Sequence, residues 1–480
     1  MQNDQNRPTG MTAFTIIWVG QILSLLGTAV SHFGLRLWVF DASGGQATPM
    51  TRIGFWFFVP MVVFTPLVGV LVDRANRKLM MMLSDLAAAL NTLIVLLLFT
   101  TGNLEIWHLY ITAFIGGTFQ GFQWPAYSAA ISTMLNKKDY TRANAMLDIA
   151  GNSSAVFAPM IAGALIGPLS VWVVRNLPSV AASATGQPGI VALLALDLIS
   201  AAFAIGTLLF VHIPQPTVSE SGQGATGSFF QQAIFGLNYI LARPSLLGLQ
   251  LVFLLGNFFH ALGFSVGDPM ILARTNSDEI IFGAIQTAGA LGGIAGGLII
   301  SAWGGFKRRV HGVLLGWVLA GLAMAGTGLS RSLLPWLITV FVGMALTPLI
   351  NSSNQAIWQS KVPPDIQGRV FATRRLIAWL VAPVSQYVAG PLADRFFEPY
   401  FLADPNATPL FGILGKGPGA GMGLQIALTG LFAALIGAAG YLFPTVRNAE
   451  DRLPDHDAAE ATIIADAKPT PATEEAGVGA

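Results

Sequence analysis

Two aspartates lie inside long apolar stretches of this sequence, where an ionisable side chain has to leave water. Asp148 lies near the start of one stretch, and Asp197 lies about two turns into the next. A carboxylate in such a place can be charged in one conformation and neutral in another, which is the requirement for coupling proton movement to transport. The alternative is that each carboxylate only accepts structural hydrogen bonds. Both residues are therefore candidates for proton coupling, and protons are an expected partner.

Three basic side chains in apolar stretches also have two interpretations each. His32 and His260 occupy comparable places in the first apolar stretch of each half of the chain, and could either contact a substrate or simply pack. Arg375 could bind an anionic substrate or form a structural ion pair with Asp148. All three basic residues are kept as candidates for substrate contact.

Three other ionisable residues have a structural interpretation. Arg36 and Asp268 lie near the ends of their apolar stretches, so their charged groups can reach the membrane surface along the side-chain stem. Asp85 lies close to a charged turn at residues 73–78 and is expected to support that turn. We do not expect these three to carry the mechanism.

Polar and aromatic side chains recur on the stretches expected to surround a cavity. A large amphipathic molecule needs an apolar pocket with a few hydrogen-bonding groups. Hydrogen bonding between helices is the alternative role for these side chains. The candidates for substrate contact are Gln21, Ser24, His32, Gln120, Gln123, Trp124, Asn152, Asn257, His260, Asn351, Asn354, Gln355 and Arg375.

Several classes of chemistry have no motif in this sequence. The chain has no cysteine, which excludes disulfides, thiolate metal sites and cysteine nucleophiles. The glycine-rich segment 289–297 is not followed by a strand and helix of the kind that bind phosphate, and it is better explained by close helix packing. We find no nucleotide-binding motif and no zinc-type cluster, so neither a cofactor, a metal nor a catalytic residue is predicted.

The composition predicts an all-helical membrane protein with the lipid bilayer as its main partner. Of 480 residues, 53% are hydrophobic and 10% are charged, with a mean hydropathy of +0.63 and a net charge of +1 that gives no reason to expect nucleic-acid binding. A membrane span needs about 20 mostly apolar residues. Twelve such runs occur, at 12–40, 50–72, 79–101, 107–135, 144–172, 189–213, 245–272, 280–303, 311–329, 335–359, 372–393 and 421–444.

Charge places both chain ends on one side of the membrane. Lys and Arg are concentrated in alternate loops, including Arg74, Arg77 and Lys78, which predicts that these loops and both termini are cytoplasmic. The predicted organisation is a cytoplasmic N-terminus at 1–11, a six-helix bundle at 12–213, a cytoplasmic linker with an amphipathic helix at 214–244, a second six-helix bundle at 245–444 and a disordered tail at 445–480. The segment 394–420, rich in Pro and Gly, is expected to be an irregular external loop.

A charged turn between the second and third runs carries a family resemblance. Its sequence is Gly69-Val70-Leu71-Val72-Asp73-Arg74-Ala75-Asn76-Arg77-Lys78. This segment resembles the signature loop of the major facilitator superfamily, with Asn76 in place of the second glycine, a residue that tolerates a left-handed turn. The second half echoes it at 297–309, with Ser301 where Asp73 stands.

The resemblance implies a latch between the two halves. In the family the aspartate of the signature loop meets the start of the eleventh span, which here would begin near Gly368 and Arg369. The residues of the implied latch, which would hold the halves in the outward-facing state, are Gly69, Asp73, Arg74, Arg77, Lys78, Gly368 and Arg369. A simple excess of positive charge in a cytoplasmic loop is the alternative interpretation.

Within the superfamily the sequence is most similar to the branch of enterobactin exporters and macrolide efflux proteins. The stretches that carry this are 18–27, 125–126 with 142–145, and 362–394, which ends in Gly390-Pro391-Leu392-Ala393-Asp394. The resemblance implies a monomeric secondary transporter of the cytoplasmic membrane that exports a hydrophobic or amphipathic small molecule, such as a drug, macrolide or siderophore-like metabolite, by proton antiport and alternating access. The alternatives are an uptake permease of the same fold and, from another class, a membrane enzyme or lipid-handling protein.

Overall fold

Twelve long helices make up most of the described structure. The computed structural model describes residues 8–74, 76–135, 139–176, 187–211, 213, 229–403 and 410–453, and these contain helices but no strand. The long helices, named here in chain order, are α1 Gly10–Ala42, α2 Ala47–Arg74, α3 Arg77–Thr100, α4 Ile106–Met134, α5 Tyr140–Ile166, α6 Pro188–Phe210, α7 Pro244–Phe264, α8 Glu279–Trp303, α9 Arg309–Leu329, α10 Leu333–Lys361, α11 Pro364–Leu392 and α12 Ala420–Leu442.

The predicted fold class is confirmed. Among the described residues, eleven helices are long and apolar enough to cross a membrane, and the 29-residue helix α4 is the twelfth long helix. In a bilayer an apolar run must satisfy its backbone hydrogen bonds within itself, which makes the helix the only local solution. The positions of the apolar runs in the sequence therefore predict the positions of these helices.

The helices pack into two groups joined along two seams. In the first group, α1 packs against α5 and α6, and α4 packs against α2 and α3. In the second group, α12 packs against α7 and α9, and α10 packs against α8 and α9. Glycine permits some of these approaches, as where Gly321 on α9 faces the backbone of Gly430 on α12. Between the groups, α2 contacts α11 and α5 contacts α8.

Two predicted spans, both found as candidate spans, differ in detail from the regular helices. The run 245–272 is interrupted at Ser265 and Val266, which separate α7 from a short helix, Gly267–Thr275. Pro269 has no N–H for the carbonyl four residues earlier, so a continuous helix would lose a hydrogen bond there. Helix α11 begins at Pro364 and not at 372. Its first turns are polar, so the apolar run did not include them, and proline suits the first position of a helix.

The turn and the external loop also differ from expectation. Asn76 is not left-handed; with a φ of −67° it caps α3 by accepting a hydrogen bond from the Leu79 N–H at 3.1 Å. The segment predicted as irregular contains a short π-helix, Ala393–Phe397, and short α-helices at Glu398–Ala403 and Leu410–Leu414. Burial of Phe401 and Leu414 against α12 supplies the contacts that order these turns.

The predicted linker is described only at its end. A helix, Phe229–Leu241, occurs where an amphipathic helix was predicted, and its side chains Ile234 and Leu237 are exposed whereas Ile240 is buried. An exposed apolar face of this kind suits the surface of a bilayer. Residues 214–228 of the linker and 454–480 of the tail lie outside the described residues.

Candidate functional site

An ion pair joins the two helix groups near the ends of α1 and α7. We call the face where α1 begins and α2 ends the N-terminal face, and the opposite one the distal face. At the distal face Arg36 Nη1 lies 2.6 Å from Asp268 Oδ2, and Gln286 Nε2 donates to the other Asp268 oxygen at 2.7 Å. The rings of Phe33 and Phe282 pack beside this pair at 4.8 Å between centroids. Sequence reasoning had treated Arg36 and Asp268 as separate surface charges and missed their pairing across the two groups.

A carboxylate of the second group also caps a helix of the first. Asp394, just after α11, accepts hydrogen bonds from the N–H groups of Ala47 at 2.9 Å and Thr48 at 2.7 Å, which open α2. A helix N-terminus carries partial positive charge, so a carboxylate is well placed there. Gly390, one turn earlier, allows α11 to contact the backbone of Thr48. These contacts also join the two groups at the distal face.

The signal for this cap was present in the sequence. Gly390-Pro391-Leu392-Ala393-Asp394-Arg395 has the same Gly-x-Leu-x-Asp-Arg spacing as Gly69-Val70-Leu71-Val72-Asp73-Arg74. Sequence reasoning used the later segment only as a family pattern. The two segments end α11 and α2 respectively, and these two helices contact each other across the two groups.

A cavity of about 570 Å³ lies on the side of these contacts that faces the membrane centre. Its wall comes mostly from α1 to α4, and the second group adds Phe264, Ser265, Asp268 and Gln386. The cavity therefore adjoins the contacts that join the two groups at the distal face. Three predicted substrate-contact residues line it, namely His32, Gln120 and Gln123.

Breaking the Arg36–Asp268 pair is expected to loosen the distal face only moderately. The two side chains are 40% and 26% exposed, and such pairs contribute about 1 kcal/mol or less. Arg36→Gln should therefore raise the labelling rate of a single cysteine placed at Gln386, tested with a membrane-impermeant thiol reagent, by roughly fivefold at most. Because the native chain has no cysteine, the background is zero. The charge-swapped Arg36→Asp, Asp268→Arg double variant should restore the wild-type rate, and its failure to do so would argue against a direct ion pair.

Asp197 on α6 lies behind the cavity wall in a cage of three hydroxyl groups. Its Oδ1 accepts from Thr28 Oγ1 at 3.0 Å, and its Oδ2 accepts from Ser31 Oγ at 2.8 Å and Thr92 Oγ1 at 2.7 Å. The residue is only 4% exposed, although all three hydroxyl residues line the cavity. A hydroxyl can donate to a carboxylate or turn to accept from a carboxylic acid, so the cage can hold Asp197 with or without its proton.

Asp85 is held by amide groups and not by hydroxyls. Gln21 Nε2 donates to Asp85 Oδ2 at 2.7 Å, Gln123 Nε2 donates to Asp85 Oδ1 at 2.9 Å, and Gln123 Nε2 also lies 3.3 Å from Gln21 Oε1. This cluster joins α1, α3 and α4. Asp85 therefore joins three helices. Most side chains of the charged turn lie outside the described residues, so the expected role of Asp85 in supporting that turn stays a prediction.

The other predicted substrate-contact residues do not line the described cavity. Ser24 is buried in α1, and His260 lies between the rings of Phe264 and Trp317, at 5.8 and 6.2 Å. Asn351 and Arg375 are exposed, and the Arg375 guanidinium lies 4.8 Å from the Trp379 ring centroid. The remaining residues are Asn354, which is buried on α10, and Asn257 and Gln355, which are half-buried.

Most of the predicted latch and one proton site cannot be placed. Among its residues, only Lys78 has a described side chain, and its Nζ donates to the carbonyls of Val211 at 2.7 Å and Leu209 at 3.4 Å. A cation is favourable at the C-terminal end of a helix, here α6, so these two bonds stabilise the first group. The side chains outside the described part of the structure are those of Gly69, Asp73, Arg74, Arg77, Trp124, Asp148, Asn152, Gly368 and Arg369.

A larger groove elsewhere is a weaker candidate. It measures about 770 Å³ and lies between α5, α8 and α10. Its lining is apolar apart from Glu279 and Thr287. Such a surface can contact acyl chains but offers little to orient a polar substrate, so the cavity beside Asp197 is the better candidate site.

Comparison with known proteins agrees with the fold. The family described as Major Facilitator Superfamily matches residues 12–385. Macrolide efflux protein A of Streptococcus pyogenes is 24% identical over 386 residues, which are 80% of this chain and 89% of that protein. Multidrug efflux pump Tap of Mycolicibacterium fortuitum is 23% identical over 368 residues, covering 74% of this chain and 83% of Tap.

Among solved structures, the fold is similar to that of a bacterial homologue of the human lysosomal transporter Spinster in an inward-facing, unoccupied conformation. The TM-score is 0.66 at 14% identity, and the match covers 89% of this chain and 95% of the other. A likeness at this identity concerns the fold alone.

Proposed function

This chain belongs to the Major Facilitator Superfamily, and we propose that it exports hydrophobic or amphipathic small molecules across the cytoplasmic membrane, driven by protons. It is a membrane transporter and not an enzyme. The names of its relatives, a macrolide efflux protein and a multidrug efflux pump, support export. The positive charges of the N-terminal face support a cytoplasmic location for that face and for both termini. We also propose that the protein works as a monomer.

Alternating access is the proposed mechanism. In the described structure the ion pair at Arg36 and the helix cap at Asp394 join the two groups at the distal face. A cavity closed at one face needs a second state in which that face opens and the other closes. We assign the closing contact of that second state to the predicted latch of Asp73 with the start of α11.

The hydroxyl cage of Asp197 is the observation that carries the proposal of proton coupling. The carboxylate lies in a transmembrane helix, one side chain behind the cavity wall, among groups that can reverse their hydrogen bonds. Helices α1, α3 and α6 meet there, so any rearrangement of α1 changes the hydrogen bonds that Asp197 receives. Asp148 remains a second predicted coupling residue.

Export can be tested in an efflux-deficient bacterial host. Cells that produce the protein should accumulate less ethidium or erythromycin than cells with an empty vector, and an uncoupler that collapses the proton gradient should remove the difference. Membrane expression is checked in both conditions. Accumulation above the vector control would instead support the uptake permease, and a difference that survives the uncoupler would reject proton coupling.

A further inference from the structure

Arg374 on α11 is a cation with an unsatisfied buried donor. Its Nη1 is inaccessible and has no hydrogen-bond partner, and the described residues place no carboxylate against it. The guanidinium lies 5.1 Å from the ring centroid of Trp358 and 5.7 Å from that of Phe371. The residue as a whole is half-buried, so other parts of its side chain are accessible, and a small molecule reaches Nη1 only when the helix packing of the described state opens.

Two amide side chains beside it are also incompletely paired. Asn354 on α10 accepts from Trp358 Nε1 at 3.1 Å, but its own Nδ2 is buried without a partner. Gln250 on α7 donates to the Arg374 carbonyl at 3.4 Å, but its Oε1 is buried without a partner. Both residues are almost fully buried, at 1% and 3% exposure. Buried polar groups in native proteins are almost always hydrogen-bonded, so three without a partner in one cluster require an explanation.

The equivalent cluster in the first group contains a carboxylate, whereas the described residues around Arg374 provide none. Gln21 and Gln250 occupy matching places, since each is followed by Leu-Leu-Gly four residues later. In the first group the cluster around Gln21 is completed by the carboxylate of Asp85. In the second group the cluster around Gln250 contains a cation and, among the described residues, no acid.

We propose that the cluster of Arg374, Asn354 and Gln250 binds the carboxylate of an amphipathic substrate. The unmet donors on Arg374 and Asn354 suit the two oxygens of a carboxylate, and guanidinium groups pair strongly with this anion. Gln250 Oε1 can accept from a neighbouring hydroxyl or amide of the ligand. The rings of Trp358 and Phe371 provide an apolar surface for the body of the molecule.

The inference adds a substrate class to the proposed export and rests on that function for its biological meaning. The sequence had pointed to Arg375 as the residue for an anionic substrate, whereas the structure places the unsatisfied donor on its neighbour. Because Arg375 is exposed, it provides a matched control one position away.

Binding can be tested without transport. Purified protein at pH 7.5 is titrated with 1-naphthoate and with 1-naphthamide, which have the same ring but differ in charge, and thermal stabilisation is measured. We expect naphthoate to bind at least tenfold more tightly than naphthamide. Arg374→Gln should remove this preference, and Arg375→Gln should keep it.

The outcomes separate this proposal from export. Equal binding of the acid and the amide by the wild-type protein would overturn the anion site even if Arg374→Gln did not fold, and so would a preference that survives a folded Arg374→Gln. A preference for naphthoate without export of any probe would leave the anion site standing and reject the proposed function. Export of ethidium by a protein that binds the acid and the amide equally would support the proposed function and overturn the anion site.

Discussion

Replacing Asp197 by Asn is expected to reduce uphill export strongly while downhill movement of the same substrate continues. Asn has nearly the same shape: its side-chain oxygen can still accept from the hydroxyls of Ser31 and Thr92, and its NH2 group can donate to the hydroxyl of Thr28. It cannot gain or lose a proton, so substrate movement would no longer be linked to the proton gradient. Coupling free energies between sites are about 1–3 kcal/mol, so we expect a loss of roughly 5- to 150-fold in uphill transport.

Proteoliposomes make the two modes separable. Uphill transport is measured with an imposed pH gradient, and downhill transport with a substrate gradient alone. Glu105→Gln is the matched control, because Glu105 is an exposed acid in a loop, and among the described residues its carboxylate bonds only the nearby Trp107. Thr92→Val removes one donor from the cage at nearly constant volume and should weaken coupling less. Full uphill transport by Asp197→Asn would show that the proton is carried elsewhere, with Asp148 as the next residue to test.

The fold could be predicted from this sequence because the bilayer imposes a simple rule. An apolar run of about 20 residues must form a spanning helix, whatever its neighbours do. The errors came where that rule does not apply. Pro269 interrupts a run that is long enough to be one helix, and the turns at 393–403 are ordered by burial of Phe401 against a distant helix.

The site was harder to predict because helices that are apolar on all sides do not reveal which face looks into a cavity. Asp197 was identified, since an acid in an apolar run is conspicuous in any sequence. Its three donors were not, because Thr28 and Ser31 lie more than 160 residues away along the chain. Arg374 and Arg375 illustrate the same limit: adjacent residues on a helix point about 100° apart, and only the packing of α10 shows which one is buried.

Removing the carboxylate of Asp394 is expected to open the distal face. Asp394→Ala leaves two N–H groups at the start of α2 without their charged partner. Hydrogen bonds to charged groups contribute about 1.5–3 kcal/mol, so the open state should become roughly 10- to 100-fold more populated relative to the closed state. The labelling rate of a single cysteine at Gln386 by an impermeant reagent should rise by the same factor, since it reports the open population.

Glu398 provides a control of the same chemistry in the same segment. Its carboxylate accepts from the N–H groups of Met422 at 2.8 Å and Gly419 at 3.3 Å and so caps α12, but both partners belong to its own helix group. Glu398→Ala should lower thermal stability without changing the labelling of the cysteine at Gln386. If both variants raised the labelling rate equally, general loosening and not an open distal face would explain the Asp394 result.

The repeated Gly-x-Leu-x-Asp-Arg segment predicts that Asp73 acts in the opposite direction. Helices α2 and α11 contact each other, and each ends in this segment, one at the N-terminal face and one at the distal face. If Asp394 stabilises distal closure by capping α2, then Asp73 should stabilise closure of the N-terminal face by capping α11. Asp73→Ala should therefore lower the labelling rate at Gln386 while Asp394→Ala raises it, and the double variant should return close to the wild-type rate because the two shifts oppose each other. If both single variants changed the labelling rate in the same direction, the two aspartates would not be a reciprocal pair of caps. Opposite changes would show that contacts between α2 and α11 control which face is closed.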